Sequence, residues 1–255
     1  MRILITNDDG IYSPGILALA NAAKEFGDVR VVAPDVEQSS MGHAITASRP
    51  LSYRKTTLGD LEAYRVNGTP ADCVALGAYN WERVDVVLSG INLGTNLGNS
   101  AWHSGTLAAA KQAALLGLRG VALSTPAGKT EPKFDVLAPF VHRVLECLLR
   151  SISLPLVNVN FPRQPQGLLW TRQSVRHYDG AVVPSEDPMG RRIFWLTVQP
   201  TEETEEGTDR WAVKERWVSL TPLRLDLTDH AELSRVQAEH PFNQTLPLDS
   251  PRTMA

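Results

Sequence analysis

Asp8 and Asp9 stand side by side directly after a short strand-like run at residues 3–6. Like charges in contact repel, and burying ionised carboxylates is costly unless a cation compensates. On its own such a pair more often marks a solvated turn, so the surroundings decide. In an open α/β sheet, ligands collect at the carboxyl ends of the strands. Ser39 lies in the loop after a second strand-like run, residues 28–35, and Asn92 follows a third, VDVVLSG at 84–90. Four oxygen-bearing side chains therefore converge on one sheet edge. Two carboxylates with two neutral oxygens suit a hard divalent cation, Mg²⁺ or Mn²⁺, with waters completing the octahedron. Adjacent strand residues point to opposite faces, so both aspartates serve one site only if the backbone leaves strand geometry, which Gly10 permits.

A second set of residues suits an anion. SGINLGTNLGN at 89–99 spaces glycines at 90, 94 and 98, a pattern that exposes backbone amides in an anion-binding nest or makes a plain surface loop. HSGTLAAAKQAALLG follows, with Ser104 as N-cap and Gly105 and Thr106 in the first helical turn. A helix N-terminus presents free N–H donors and positive partial charge, which suits phosphate, although most such starts only cap a helix.

These residues need a scaffold, and the first two-thirds of the chain alternates strand and helix signals. Ser13-Pro14 opens a helix that Gly27 closes at C′; strands follow around 44–54 and 61–66, and Thr69-Pro70 starts another helix. Further helices are expected over 104–116 and 133–150, with GVALST and LVNVN as strands beside them. Continuous apolar strands alternating with helices predict an α/β fold: a Rossmann-like, mostly parallel sheet flanked by helices. From about residue 167 the helical rhythm gives way to strand-like alternation around Trp170, Trp195, Trp211 and Trp217. The expected division is a catalytic domain at 1–166 and a β-rich C-terminal appendage with an oligomerisation segment at 167–255. Within it, residues 200–210 read as an exposed acidic loop, and the last thirty as a short helix plus tail.

Composition bounds the function. A chain of 255 residues with 43% apolar content buries a full core, and a net charge of −3 gives no basic footprint for polymeric nucleic acid. Cys73 and Cys147 lack CxxC spacing and read as reduced, buried thiols. No signal peptide or membrane span is evident, so a cytoplasmic location is expected.

ILITNDDGIYSPG, VVAPDVEQS, VNGTPADCV, LSGINLGTNLG, SGTLAAA and VSLTPL recur here in the order that resembles the stationary-phase survival protein SurE family. The resemblance implies a metal-dependent phosphatase acting on nucleoside 5′- and 3′-monophosphates, with one divalent ion per subunit. Matching positions imply Asp8, Asp9, Ser39 and Asn92 as metal ligands, and the segments around Asn96 and at Ser104, Gly105 and Thr106 as the phosphate site. They also imply a homodimer or homotetramer in which the C-terminal segment, from about Asp226, is exchanged. The family usually shows an acidic residue, a valine and a tyrosine before SGT, and the chain departs from it with the run NSAWHSGT, containing Ser100, Trp102 and His103; the departure bears on substrate preference.

The expected reaction is phosphomonoester hydrolysis by water activated at the cation, with direct attack by Ser104 the alternative. A haloacid-dehalogenase-type phosphatase needs carboxylates two residues apart, but Asn7 precedes Asp9 by two and Gly10 follows Asp8 by two. A zinc deacetylase needs histidine ligands near its aspartates, and no histidine precedes His43. His43 and His103 read as solvated or core residues. A nucleotide-binding regulator without turnover is the non-enzymatic alternative.

Overall fold

A computed structural model of the chain describes residues 1–128, 130–175, 179–199 and 204–240. Five strands, each reached through a parallel neighbour, build outward from β1 (Arg2–Thr6): β2 (Asp28–Pro34) and β4 (Leu61–Val66) on one side, β5 (Val86–Leu93), β6 (Arg119–Thr125) and β7 (Leu156–Asn160) on the other. Antiparallel β3 (Tyr53–Leu58) closes one edge. At the other edge, β11 (Trp217–Pro222) pairs antiparallel with β7 and carries β8 (Gly167–Trp170) parallel beside it. Among the described residues this makes a nine-stranded sheet in the order β3-β4-β2-β1-β5-β6-β7-β11-β8. The chain leaves β1 toward β2 on one side and later fills the other side with β5. The crevice at the carboxyl ends of β1 and β5 is thus the topological switch point.

The strand alternation splits the core in two. Ile3, Ile5, Val31, Ala33, Val86 and Leu88 face α1 (Pro14–Ala23) and α4 (Phe134–Glu146), and a single cluster joins them to Ile16, Leu19, Leu137 and Val141. The intervening Leu4, Val32 and Val87 face α2 (Pro70–Asn80) and α3 (Gly105–Leu115), packing on Cys73, Val74, Ala109 and Ala113. A strand covered on both faces must be apolar at every position, which is why these strands read as continuous runs. Helix α2 has a full capping box: Thr69 accepts from the Asp72 amide, and Asp72 accepts from the Thr69 amide. Cys73 is buried and Cys147 half-buried, and both are free thiols.

Several expectations need correction. Residues 44–52 form no strand; Thr46 instead gives its amide to Asp72, and Ser52 gives its amide to Asn67. Gly27 does not close α1, which ends at Ala23; a Cβ there would lie 2.0 Å from the Met1 carbonyl oxygen, so close approach demands the glycine. Helix α4 stops at Glu146 and runs into a π-turn at Cys147–Ser151. Beyond residue 167, β8 and β11 belong to the main sheet. The separate β-rich element is the two-stranded antiparallel sheet of β9 (Asp179–Glu186) and β10 (Arg192–Gln199). That region also holds a short helix, α5 (Asp209–Lys214). The acidic run is not wholly exposed: Asp209 is fully buried, while residues 200–203 lie outside the described residues.

The chain falls into two compact units, Met1–Leu223 and Arg224–Ala255. In the second, α6 (His230–Glu239) is capped by Asp229 and braced by Arg235 between Glu232 and Glu239. The expected short helix is present, and its tail after residue 240 lies outside the described residues. No helix among the described residues is long and apolar enough to cross a membrane.

Candidate active site

Gly10 adopts φ +98°, and the chain turns out of β1 at once: the Ile11 amide bonds back to the Pro34 carbonyl. That left-handed step belongs to glycine, and it lets the aspartates serve one region. Asp8 is buried, and its Oδ1 accepts a hydrogen bond of 2.6 Å from the Thr106 hydroxyl at the start of α3. A Cβ on Gly105 would lie 2.8 Å from the Asp8 Cβ, so only glycine lets the helix N-terminus come this close. Asp9 is tied to the neighbouring strand, its Oδ2 accepting the Leu93 amide at 3.1 Å at the end of β5.

Burial pushes the Asp8 carboxyl above its ordinary value; the Thr106 hydroxyl and nearby amides oppose that shift without cancelling it. Burial, and then the charge of Asp8, push Asp9 up to about 6. Among the described residues neither carboxylate forms an ion pair with a lysine, arginine or histidine. A pair of half-desolvated carboxylates without a cationic side chain calls for a cation from solution.

The neighbouring donors suit one. The Gln38 amide donates to the Asp8 carbonyl at 2.7 Å, which brings the loop carrying Ser39 over the aspartates. Asn92 commits its Nδ2 to the Gly94 carbonyl at 2.7 Å, leaving Oδ1 as the oxygen available to a ligand. Ser39 donates to Glu37 at 2.6 Å and retains its oxygen lone pairs. Among the described residues no group of three His, Cys, Asp or Glu side chains gathers anywhere. The candidate donors Asp8, Asp9, Ser39 and Asn92 are two carboxylates, a hydroxyl and an amide oxygen, a set that suits a hard cation keeping several waters better than zinc.

Asp8, Ser39, Asn92, Asn96 and Ser104 line one cavity of about 740 Å³, bounded on the far side by Ala181, Val182, Leu196 and Thr197 of the β9–β10 hairpin. His103, expected as a solvated or core residue, and Ser100, from the departing stretch, also line it. The exposed Trp102 of that stretch lies with its ring 5.2 Å from the Lys111 Nζ. Asp9, half-buried next to Asp8 in the chain, holds the Leu93 amide at the end of β5. Ser104 acts as N-cap of α3, its Oγ accepting the Leu107 amide at 3.0 Å. Thr106 differs from expectation: it is fully buried, and its hydroxyl proton goes to Asp8. Asn96 is buried too, with Nδ2 donating to Ser124 at 2.8 Å and to Thr106 at 3.3 Å.

Sequence reading passed over Ser124, Asn158 and Asn160, whose side chains all reach Asn96. The signal was present in LVNVN: two asparagines on one face of a fully buried strand need partners, and residue types alone do not say where those partners are.

A sequence profile of the family described as Survival protein SurE matches residues 3–180. The chain is 48% identical to 5′-nucleotidase SurE 1 of Thermus thermophilus over 239 residues, covering 91% of this chain and 95% of that protein. It is 45% identical to 5′-nucleotidase SurE of Deinococcus radiodurans over 236 residues, covering 89% and 88%. In three dimensions it resembles the crystal structure of the SurE protein from Aquifex aeolicus, with a TM-score of 0.81, 37% identity, and coverage of 94% of this chain and 99% of that one. The order of motifs, the sheet and the match over most of its length place this chain in the SurE family.

Proposed function

We propose that the chain is a divalent-metal-dependent phosphomonoesterase that hydrolyses nucleoside 5′-monophosphates, and 3′-monophosphates, to nucleoside and phosphate. The observation that carries this reading is the pair Asp8 and Asp9: adjacent, desolvated, without an ion-pair partner among the described residues, and beside a helix N-terminus. The relatives named 5′-nucleotidase point to the same reaction. Asp8, Asp9, Ser39 and Asn92 would hold one Mg²⁺ or Mn²⁺ per subunit. When bound, the cation supplies Lewis acidity toward a phosphoryl oxygen and lowers the pKa of a coordinated water.

The rest of the site binds and orients. Asn96, Ser104 and the first-turn amides at Gly105 and Thr106 form the phosphate side, where the positive end of α3 favours the phosphoryl group and its developing charge. The Thr106 hydroxyl acts one step back, fixing Asp8. Ser104 Oγ keeps its own proton to donate while it caps the helix. In this reading the bound cation would supply an activated water as nucleophile, and Ser104, held by its capping bond to the Leu107 amide, would orient the phosphoryl group. All of these residues precede 167. Residues 1–166 therefore carry the chemistry, and residues 167–255 supply the hairpin and C-terminal segment.

We also propose a homodimer or homotetramer with an exchanged C-terminal segment. An isolated two-stranded ribbon is marginal in water, yet Val182, Phe194, Trp195 and Leu196 of β9–β10 are all exposed. Such apolar surface marks an interaction site. Phosphate release from a panel of phosphomonoesters, each with and without added Mg²⁺ or Mn²⁺, tests the activity. Metal-dependent release from nucleoside monophosphates is expected; binding without turnover would identify a regulator instead.

A further inference from the structure

Strand β7 reads LVNVN, and every residue in it is buried. Asparagine is poorly suited to the interior of a sheet covered on both faces, because a buried amide without partners is costly. Both asparagines of β7 spend their amides on one residue of the glycine-rich loop. Asn160 Oδ1 accepts the Asn96 amide at 2.9 Å, and Asn160 Nδ2 donates to the Asn96 carbonyl at 3.2 Å. Asn158 Nδ2 donates to the same carbonyl at 2.7 Å. The Asn96 backbone, which belongs to no strand or helix, has both of its polar groups satisfied by these side chains.

The Asn96 side chain is held with equal care. Ser124 pairs with Asn160 in the β6–β7 register, and its Oγ accepts Asn96 Nδ2 at 2.8 Å. Thr106, the second acceptor of that amide, donates in turn to Asp8. A continuous buried path thus runs from Asn160 and Ser124 through Asn96 and Thr106 to the metal-ligand candidate Asp8. The loop is also tied from outside: fully buried Asp209 accepts the Gly98 amide at 2.8 Å, and Gln173 donates to the Gly98 carbonyl at 2.8 Å.

We infer that Asn160, seconded by Asn158 and Ser124, is a positioning residue of the phosphate site, acting through Asn96. The inference rests on the nucleotidase reading, since it takes Asn96 to face the phosphoryl group. Residues that orient the groups touching a ligand typically cost about 10–100-fold in affinity or activity when removed. Asn160→Ala removes the acceptor of the Asn96 amide and leaves its carbonyl to Asn158 alone. Asn160→Asp keeps the acceptor for the Asn96 amide and loses the donor to its carbonyl.

The test is steady-state phosphate release from a nucleoside 5′-monophosphate in saturating Mn²⁺, with inorganic phosphate as inhibitor. Asn160→Ala is expected to lower kcat about 10–100-fold and to raise both KM and the phosphate inhibition constant about tenfold; Asn160→Asp should fall between it and the parent. A merely structural role reduces the fraction of active enzyme, which lowers kcat and leaves KM and the inhibition constant unchanged. That result, or kinetics equal to the parent, overturns the inference. If Asn160→Ala does not fold, Ser124→Ala decides by the same constants, because it removes one hydroxyl and no backbone contact. An unmodified chain that releases no phosphate at any Mn²⁺ concentration refutes the nucleotidase reading separately. Calorimetric binding of inorganic phosphate to the parent and Asn160→Ala then decides the positioning role: equal affinity overturns it.

Discussion

The Thr106 hydroxyl donates to Asp8 Oδ1 at 2.6 Å, joining residues 98 positions apart in the chain. A hydrogen bond to the charged form of a carboxylate favours that form, and here it works against burial. The threonine therefore favours the ionised form of Asp8 against burial and fixes the direction of its carboxylate, which suits a cation.

Removing that hydroxyl while keeping the side-chain shape isolates this role. Thr106→Val should weaken Mn²⁺ activation and lower turnover by about 10–100-fold, whereas Thr106→Ser should retain most of both. An Mn²⁺ titration of activity measures it. A valine variant with the parent's activation constant would show that Asp8 is placed without Thr106.

Stability of the metal-free protein should depend on pH in a direction set by Asp9. Its folded carboxyl is raised from 3.8 to about 6, by burial and then by Asp8. Between those values the folded chain binds more protons than the unfolded one, so stability falls as pH rises through that window and stays lower above it. Asp9→Asn should flatten this dependence and raise the neutral-pH melting temperature of chelated protein, while abolishing most activity. Thermal melts between pH 4 and 8 in chelator provide the check; a variant less stable than the parent at pH 8 contradicts the account.

Asp72 shows the opposite sign. Burial would raise its carboxyl, but hydrogen bonds from Thr46 and Thr69 outweigh it and hold the group below the usual carboxylate range. A depressed carboxyl contributes stability at neutral pH that is lost as pH falls through its folded value. Asp72→Ala should cost about 1–2 kcal/mol at pH 7, with the difference shrinking below pH 4. Urea denaturation at the two pH values measures both. A cost that is the same at both would remove the capping charge from the explanation.

The doubly wound core was legible because burial on both faces forces continuous apolar runs, as at Ile3, Leu4 and Ile5, and because Thr69-Pro70 announces a capped helix. Alternation gives the face of a strand and not its partner. Trp170 and Trp217 therefore read as an appendage, although β8 and β11 complete the main sheet. The polar loop at 44–52 misled for a related reason: its backbone bonds to the side chains of Asp72 and Asn67, which no local pattern announces. In the candidate site, the rule that ligands gather at strand ends singles out Asp8, Asp9, Ser39 and Asn92, of which Asp8, Ser39 and Asn92 line one cavity. The burial of Thr106 against Asp8 and the grip of Asn160 on Asn96 were not, because both join residues far apart in sequence and neither leaves a periodic trace.

Assembly should depend on the β9–β10 hairpin and the C-terminal segment. Replacing Trp195 and Leu196, both exposed, with serine should shift the protein toward smaller species in light scattering. Deleting residues 226–255 should do the same. A monomeric parent, or an unchanged assembly in both variants, contradicts the proposed exchange.

The proposed activity turns on a cation at Asp8 and Asp9. The most direct measurement is phosphate release from a nucleoside 5′-monophosphate by thoroughly chelated protein titrated with Mn²⁺, run beside Asp8→Asn. Negligible release in chelator, saturable recovery at one ion per subunit, and no recovery in Asp8→Asn is the predicted result. Full turnover by chelated protein, or full Mn²⁺-stimulated turnover by Asp8→Asn, would contradict it.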